Sequence, residues 1–185
     1  MDQSSNFIIL MGPVAVGKTT ILKRLLAEVP DSAFLVTTTT RAPRPGEVPG
    51  KDFIFYSREE FIRRRDAGEF LETAEHAGHL YGSSRKILED LQSRHRWVFT
   101  ILNIPGVRQL QNTSLEYKTI FVLPGSFSEI ESPLYSRAGA AQDNPGRRLA
   151  LARDEIATAD EWNFVVKNEE GKLGETITKI KNWLY

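Results

Sequence analysis

The stretch Gly12-Pro13-Val14-Ala15-Val16-Gly17-Lys18-Thr19 constrains this chain more than any other part of it. It follows the apolar run Phe7-Ile8-Ile9-Leu10-Met11 and opens a helical pattern that continues through Thr20 to Glu28. A glycine-bounded loop between a strand and a helix can wrap its backbone N–H groups around a polyphosphate, with Lys18 reaching the terminal phosphates and Thr19 offering a hydroxyl to Mg²⁺. The order strand, loop, helix is the context that separates such a loop from an ordinary glycine turn. The residues read as holding the nucleoside triphosphate are Gly12, Val14, Ala15, Val16, Gly17, Lys18, Thr19 and Thr20, with Thr19 on the metal side. Mid-loop, Val14, Ala15 and Val16 stand where smaller residues are common, so a β-branched side chain has to be tolerated wherever the backbone turns tightly.

A chain of 185 residues is long enough for one core and too short for two ordinary ones, which predicts a single domain over residues 1–185. Lys and Arg number 24, as do Asp and Glu, so no bulk field draws the chain to nucleic acid or to an anionic membrane, and anion recognition has to come from local clusters. The absence of cysteine excludes disulfides and thiolate metal sites and fits a reducing compartment. No basic leader opens the sequence and no apolar run is long enough to cross a bilayer, so a cytoplasmic protein is expected, monomeric or homodimeric.

Short apolar runs alternate with amphipathic segments, the pattern of a parallel sheet with helices on its faces. Residues 7–11, 33–36, 97–102, 119–122 and 163–166 read as strands, and 18–29, 84–94, 147–159 and 173–183 as helices. Two regions break the alternation. From about 37 to 81, Pro43, Pro45, Pro49 and several glycines surround an aromatic strand at 52–56 and a basic helix near 59–67, which reads as an insertion with its own small sheet. Residues 125–146, with Pro124, Pro133 and Pro145, read as an excursion before the third helix.

The insertion opens with Thr37-Thr38-Thr39-Thr40-Arg41-Ala42-Pro43-Arg44-Pro45-Gly46-Glu47. Two arginines on a proline-stiffened spacer can present forked donors to one phosphate, which guanidinium matches better than ammonium does. Together with the glycine loop, this segment, Gly50-Lys51-Asp52-Phe53, Glu69-Phe70-Leu71-Glu72 and Tyr81-Gly82-Ser83 resemble the guanylate kinase family, in the family's own order. The likeness spans nearly the whole chain and is densest up to Ser84.

The resemblance implies a P-loop α/β fold of three α/β/α layers around a central parallel sheet, with an inserted monophosphate-binding segment at about 37–83 and a lid at about 125–148. The core would comprise residues 1–36, 84–124 and 149–185. It implies an ATP-dependent, Mg²⁺-assisted phosphotransferase acting on GMP or dGMP. In that role Arg41 and Arg44 grip the acceptor phosphate with help from Tyr81, and Thr37 and Ser83 contact the base. Glu72 accepts from the N1 and N2 edge of guanine; adenine would put an acceptor against that carboxylate. The catalytic cations would be Lys18, Arg41, Arg137 and Arg148.

Three departures from the family stand out. Phe53 replaces a tyrosine whose hydroxyl joins the arginines on the acceptor phosphate. Where the family shows Asp-x-Asp, this chain has Asn103-Ile104-Pro105-Gly106. Asn103 is then left to orient a metal-bound water, and Pro105 replaces the second contact with neither side chain nor N–H. Pro133 stands where the lid would carry an arginine. Losing one hydrogen bond to a charged group costs about 1.5–3 kcal/mol, which weakens such an enzyme or shifts its base selectivity without abolishing transfer. The alternatives are a kinase for another purine monophosphate, or a guanylate-kinase-like module that binds a phosphorylated or acidic partner.

Overall fold

Every side chain of Phe7-Ile8-Ile9-Leu10-Met11 is fully buried, so this run can only be an interior strand of a sheet covered on both faces. The computed structural model describes residues 5–76, 78–131 and 144–185. In chain order its elements are β1 (Phe7–Met11), α1 (Lys18–Glu28), β2 (Ser32–Phe34), β3 (Thr38–Thr39), β4 (Ile54–Phe55), α2 (Arg58–Asp66), β5 (Phe70–His76), β6 (His79–Ser84), α3 (Arg85–Arg94), β7 (Trp97–Ile101), α4 (Ile104–Leu110), β8 (Lys118–Pro124), α5 (Pro145–Ala157), β9 (Phe164–Asn168) and α6 (Leu173–Leu184). The strands of the parallel sheet run in the order β2-β7-β1-β8-β9, and a second sheet runs β4-β3-β6-β5.

By contact density the chain divides into two compact units, one of Met1–Phe7 with Asp31–Tyr117 and one of Ile8–Pro30 with Lys118–Tyr185. In the second unit β1, β8 and β9 pair in parallel, with Leu10 opposite Ile120 and Phe121 opposite Val165. Helices α1 and α6 bury Ile21, Leu22 and Leu25, and Ile177 and Ile180. Lys181 of α6 reaches Glu28 at the end of α1, 3.2 Å away.

The first unit holds the β2–β7 parallel pair and the smaller sheet, in which β5 and β6 run antiparallel. Helix α2 starts where the Ser57 hydroxyl accepts the Glu60 N–H, carries Glu59 and Glu60 in its first turn and Arg63, Arg64 and Arg65 in its last, and so matches its own dipole at both ends. Its one buried residue, Phe61, stacks on Phe70 of β5 at 4.5 Å between ring centroids and packs with Leu80. That small core supports the strand that carries Glu72.

The predicted strands and helices fall within two residues of those observed, and the insertion does form its own sheet. Helix α4 was not among the predicted elements. Asn103 caps it and Pro105 sits in its first turn, where a missing N–H costs no hydrogen bond, so Pro105-Gly106 begins a helix there and does not break one. In the excursion, residues 128–131 are helical, while 132–143 lie outside the described residues, and with them Pro133 and Arg137.

Candidate active site

The second unit builds the phosphate loop. Gly12 has φ +131°, and a Cβ there would stand 2.4 Å from the Val122 carbonyl oxygen on β8, so the loop can leave β1 only through a glycine. Gly17, at φ +92°, precedes α1 without a side-chain cap, and no acidic residue occupies the first turn. The N–H groups of that turn are thus left for an external anion. Asn168, at the end of β9, donates its Nδ2–H to the Val16 carbonyl at 2.9 Å and closes over Gly17, which fixes the loop's curvature from outside. Sequence reasoning missed Asn168; its position after a buried strand is the signal that could have found it. The tight turn falls on Ala15, at φ 65°, and neither Val14 nor Val16 carries it, so the strain expected of a β-branched residue is borne by the smallest side chain of the three. Gly12→Ala is expected to lower stability by about 3 kcal/mol through overpacking and backbone strain, measured by denaturant unfolding; an unchanged midpoint would contradict the close approach to Val122.

Lys18 folds back over this loop, its Nζ donating to the Gly12 and Pro13 carbonyls at 2.7 Å each. Burial lowers its pKa to about 8, and Glu155 of α5, the charged group that opposes the shift, is itself pushed up by burial. A desolvated ammonium whose hydrogen bonds go to neutral carbonyls gains strongly from an incoming polyphosphate. Thr19 and Thr20 are exposed on the first turn of α1. Arg148 lies half-buried in α5, whose start is capped by Asn144 and led by Pro145.

The first unit carries the residues read as binding the acceptor. The β5–β6 register shifts between Phe70 and Thr73, and across that irregularity Phe70, Leu71 and Glu72 are all buried, although a regular strand would turn alternate residues outward. Glu72 is 5% exposed. Its Oε1 accepts the hydroxyl of the fully buried Ser83 at 2.8 Å, and burial pushes its pKa up to about 7 against that hydrogen bond. Ser83, expected at the base, thus donates its hydroxyl hydrogen bond to Glu72. Asn103 has a structural partner that the sequence did not announce. The Asn103 Oδ1 accepts the Gly106 N–H at 2.9 Å as the cap of α4. That oxygen and Glu72 Oε2 lie 3.1 Å and 2.9 Å from the point a Cβ of Gly106 would occupy. Asn103 Oδ1 and Glu72 Oε2 thus both lie against Gly106.

The two arginines have different surroundings. Arg41 donates from Nη2 to both carboxylate oxygens of Glu47, at 2.7 and 3.0 Å, and from Nη1 to the Ala42 carbonyl. Its guanidinium lies 5.3 Å from the centroid of the Phe53 ring. Phe53 thus gives Arg41 a ring face in place of a hydroxyl. The Glu47 bond is the largest of the effects that raise the Arg41 pKa. Arg44 is exposed and, among the described residues, its guanidinium has no hydrogen bond or ion pair; only its backbone N–H is engaged, by Glu47. Thr37 is half-buried just before β3, and its carbonyl accepts the Ile54 N–H.

A strand of a parallel sheet that runs through an uncapped glycine loop into a helix, with a half-buried lysine folded back on that loop, defines a P-loop phosphate-binding α/β protein. The family model for guanylate kinase matches residues 4–185. The guanylate kinase of Cereibacter sphaeroides is 42% identical over 183 residues, spanning 97% of this chain and 86% of that protein. That of Trichormus variabilis is 40% identical over 168 residues, 90% of this chain and 84% of that one. The crystal structure of guanylate kinase from Anaplasma phagocytophilum superposes with a TM-score of 0.77 at 29% identity, covering all of this chain and 86% of its own. The chain belongs to the guanylate kinase family, and its fold is the central parallel sheet flanked by helices that the resemblance implied.

Proposed function

We propose that this chain is a nucleoside monophosphate kinase that transfers the γ-phosphoryl group of ATP to GMP or dGMP. The observation that carries the reading is Lys18, half-buried and folded back on the loop with two backbone carbonyls for partners. A module that only binds a phosphorylated or acidic partner has no physical need of it. A panel of nucleoside monophosphates assayed with ATP and Mg²⁺ tests the proposal; no ADP with any of them would overturn it.

Phosphoryl transfer asks a protein mainly for positioning and for cations along the moving charge. The loop N–H groups and Lys18 hold the donor's β- and γ-phosphates. Arg41, Arg44 and Tyr81 hold the acceptor phosphate, for which Arg41 exchanges Glu47 for the incoming anion. Glu72, kept in place by Ser83, holds the base with Thr37 at its side, and Phe53 supports Arg41 from below. Arg148 and Arg137 serve the transferring group from the lid, taken as about 125–148; the monophosphate-binding segment is taken as about 37–83. Among the described residues no three His, Cys, Asp or Glu side chains cluster, and Thr19 is the residue read as offering a metal-side oxygen. That donor set suits Mg²⁺ arriving with ATP, since this ion keeps most of its shell as water and phosphate oxygens, and it would neutralise charge on the nucleotide. The cytoplasm, as monomer or homodimer, is the proposed setting; among the described residues no helix is long and apolar enough to cross a membrane.

Arg44→Ala is expected to raise the KM for GMP about tenfold or more and to change kcat little, because Arg44 is an unpaired donor and supports no other residue. Steady-state kinetics decide it; an unchanged KM would remove Arg44 from the phosphate site.

A further inference from the structure

We infer that Gln109 of α4 is a positioning residue for the acceptor base: its side-chain amide pairs with the backbone of Thr73 and so holds Glu72 in the direction that meets the base. The inference deepens the reading above and rests on it, because it takes Glu72 as the carboxylate that the base meets.

Strand β5 is an outer strand of the smaller sheet, so the polar backbone groups on its side away from β6 have no strand to bond. Phe70 pairs with Ser84 and Thr73 with Gly82, which sets Leu71 and Glu72 together against the single Ser83. Such a bulge re-aims a side chain and also interrupts the ladder, so strand pairing alone does not secure the direction of Glu72. Thr73 is the residue at which regular pairing resumes. Gln109 Oε1 accepts the Thr73 N–H at 3.0 Å, and Gln109 Nε2 donates to the Thr73 carbonyl at 2.7 Å. One planar amide thereby serves both backbone groups of one residue, as a neighbouring strand would. Turning the amide over would set donor against donor and acceptor against acceptor, so the two bonds fix its orientation.

Helix α4 meets the bulge a second time. Gly106 lies three residues before Gln109 and hence on the same side of the helix, and Glu72 Oε2 stands 2.9 Å from the point a Cβ of Gly106 would occupy. The carboxylate of Glu72 is thus met by α4 at Gly106, the residue that follows it is held by Gln109, and Ser83 holds Oε1 from β6. Gln109 is exposed and Thr73 half-buried, so the two bonds add little to the stability of the whole fold. What they set is the course of the chain beside Glu72, where a displacement of about 1 Å is enough to spoil a directed contact with a ligand.

Gln109→Met keeps the length and the helix propensity of the side chain and removes both hydrogen bonds. The KM for GMP should rise about fivefold, with kcat and the KM for ATP within about twofold of the parent and the melting temperature lower by no more than about 2 °C. Gln109→Glu keeps an acceptor for the Thr73 N–H but sets a carboxylate oxygen against the Thr73 carbonyl, so it should not restore the parent KM. A double-mutant cycle with Glu72→Gln separates positioning from general support, because an effect that runs through Glu72 should shrink to less than about twofold once that carboxylate is gone. An unchanged KM for GMP in folded Gln109→Met, an equal rise in the KM for ATP, full activity in Gln109→Glu, or effects that multiply in the double variant would each overturn the inference. Equal GMP constants for the parent and Glu72→Gln would overturn it at its premise. If no monophosphate is turned over, the kinase reading falls separately, and GMP dissociation constants from calorimetry on the parent, the two single variants of the cycle and the double variant still judge this one.

Discussion

Lys18→Met is expected to cut turnover by about 10²–10³-fold, the usual loss when one preorganised cation or donor on the developing charge is removed. The same substitution should leave a stability signature. Burial holds the folded-state pKa of Lys18 at about 8, below the ordinary 10.5, so its contribution to stability is present above 10.5 and lost as the pH falls through 8. Relative to the parent, the methionine variant should gain stability as the pH falls from about 10.5 to 8 and stay level below that. ATP acts in the opposite sense, because a polyphosphate favours the charged lysine, so ATP should raise the melting temperature of the parent far more than that of the variant. Chemical denaturation across this pH range, with and without ATP, reads both effects. Turnover within tenfold of the parent, or a stability difference that does not depend on pH, would show that Lys18 does not hold phosphate on this loop.

Glu72→Gln is expected to lower kcat/KM for GMP about a hundredfold, since the amide forfeits at least one charge-assisted hydrogen bond to the base edge. Glu72 accepts from guanine only when ionised, and burial raises its pKa to about 7, so the parent's KM for GMP should improve as the pH rises through 7 while the variant's profile lacks that step. Stability moves the other way. A carboxyl whose folded pKa stands above its ordinary 4.5 contributes stability that is complete below 4.5 and is lost as the pH rises through 7. Glu72→Gln should therefore become progressively more stable than the parent between about pH 4.5 and 7. A variant that is sturdier at pH 8 yet poor with GMP marks a carboxylate kept for binding at a cost to the fold. Equal KM values for parent and variant at pH 8 would remove Glu72 from the base site.

The phosphate loop was legible because its parts are consecutive: two glycines, a lysine and a hydroxyl within eight residues, behind a run with no polar side chain. The alternation of strands and helices was legible for the same reason, since burial on both sheet faces leaves a mark in every short window. Helix α4 was not, because Pro105-Gly106 reads as a break unless the Asn103 cap and the apolar spacing of Ile104, Val107 and Leu110 are weighed with it. Glu72 could be placed in a cleft from its neighbours, but its burial depends on the irregular pairing of β5 with β6, and strand register is set by partners far along the chain.

The linear chain determined which chemical groups are present and in what order: a glycine loop with its lysine, a pair of arginines, a carboxylate between apolar residues. It also carried the family's departures at Phe53 and at Asn103-Ile104-Pro105-Gly106. Only the tertiary structure decided what those departures mean. Arg41 stacks over Phe53, Ser83 holds Glu72, Asn168 closes over the loop, and Asn103 Oδ1 and Glu72 Oε2 lie against the same glycine. The physical reason is that a hydrogen bond or ring contact needs atoms within a few ångströms, and these pairs stand from 12 to 152 residues apart except for Glu72 with Ser83, at 11.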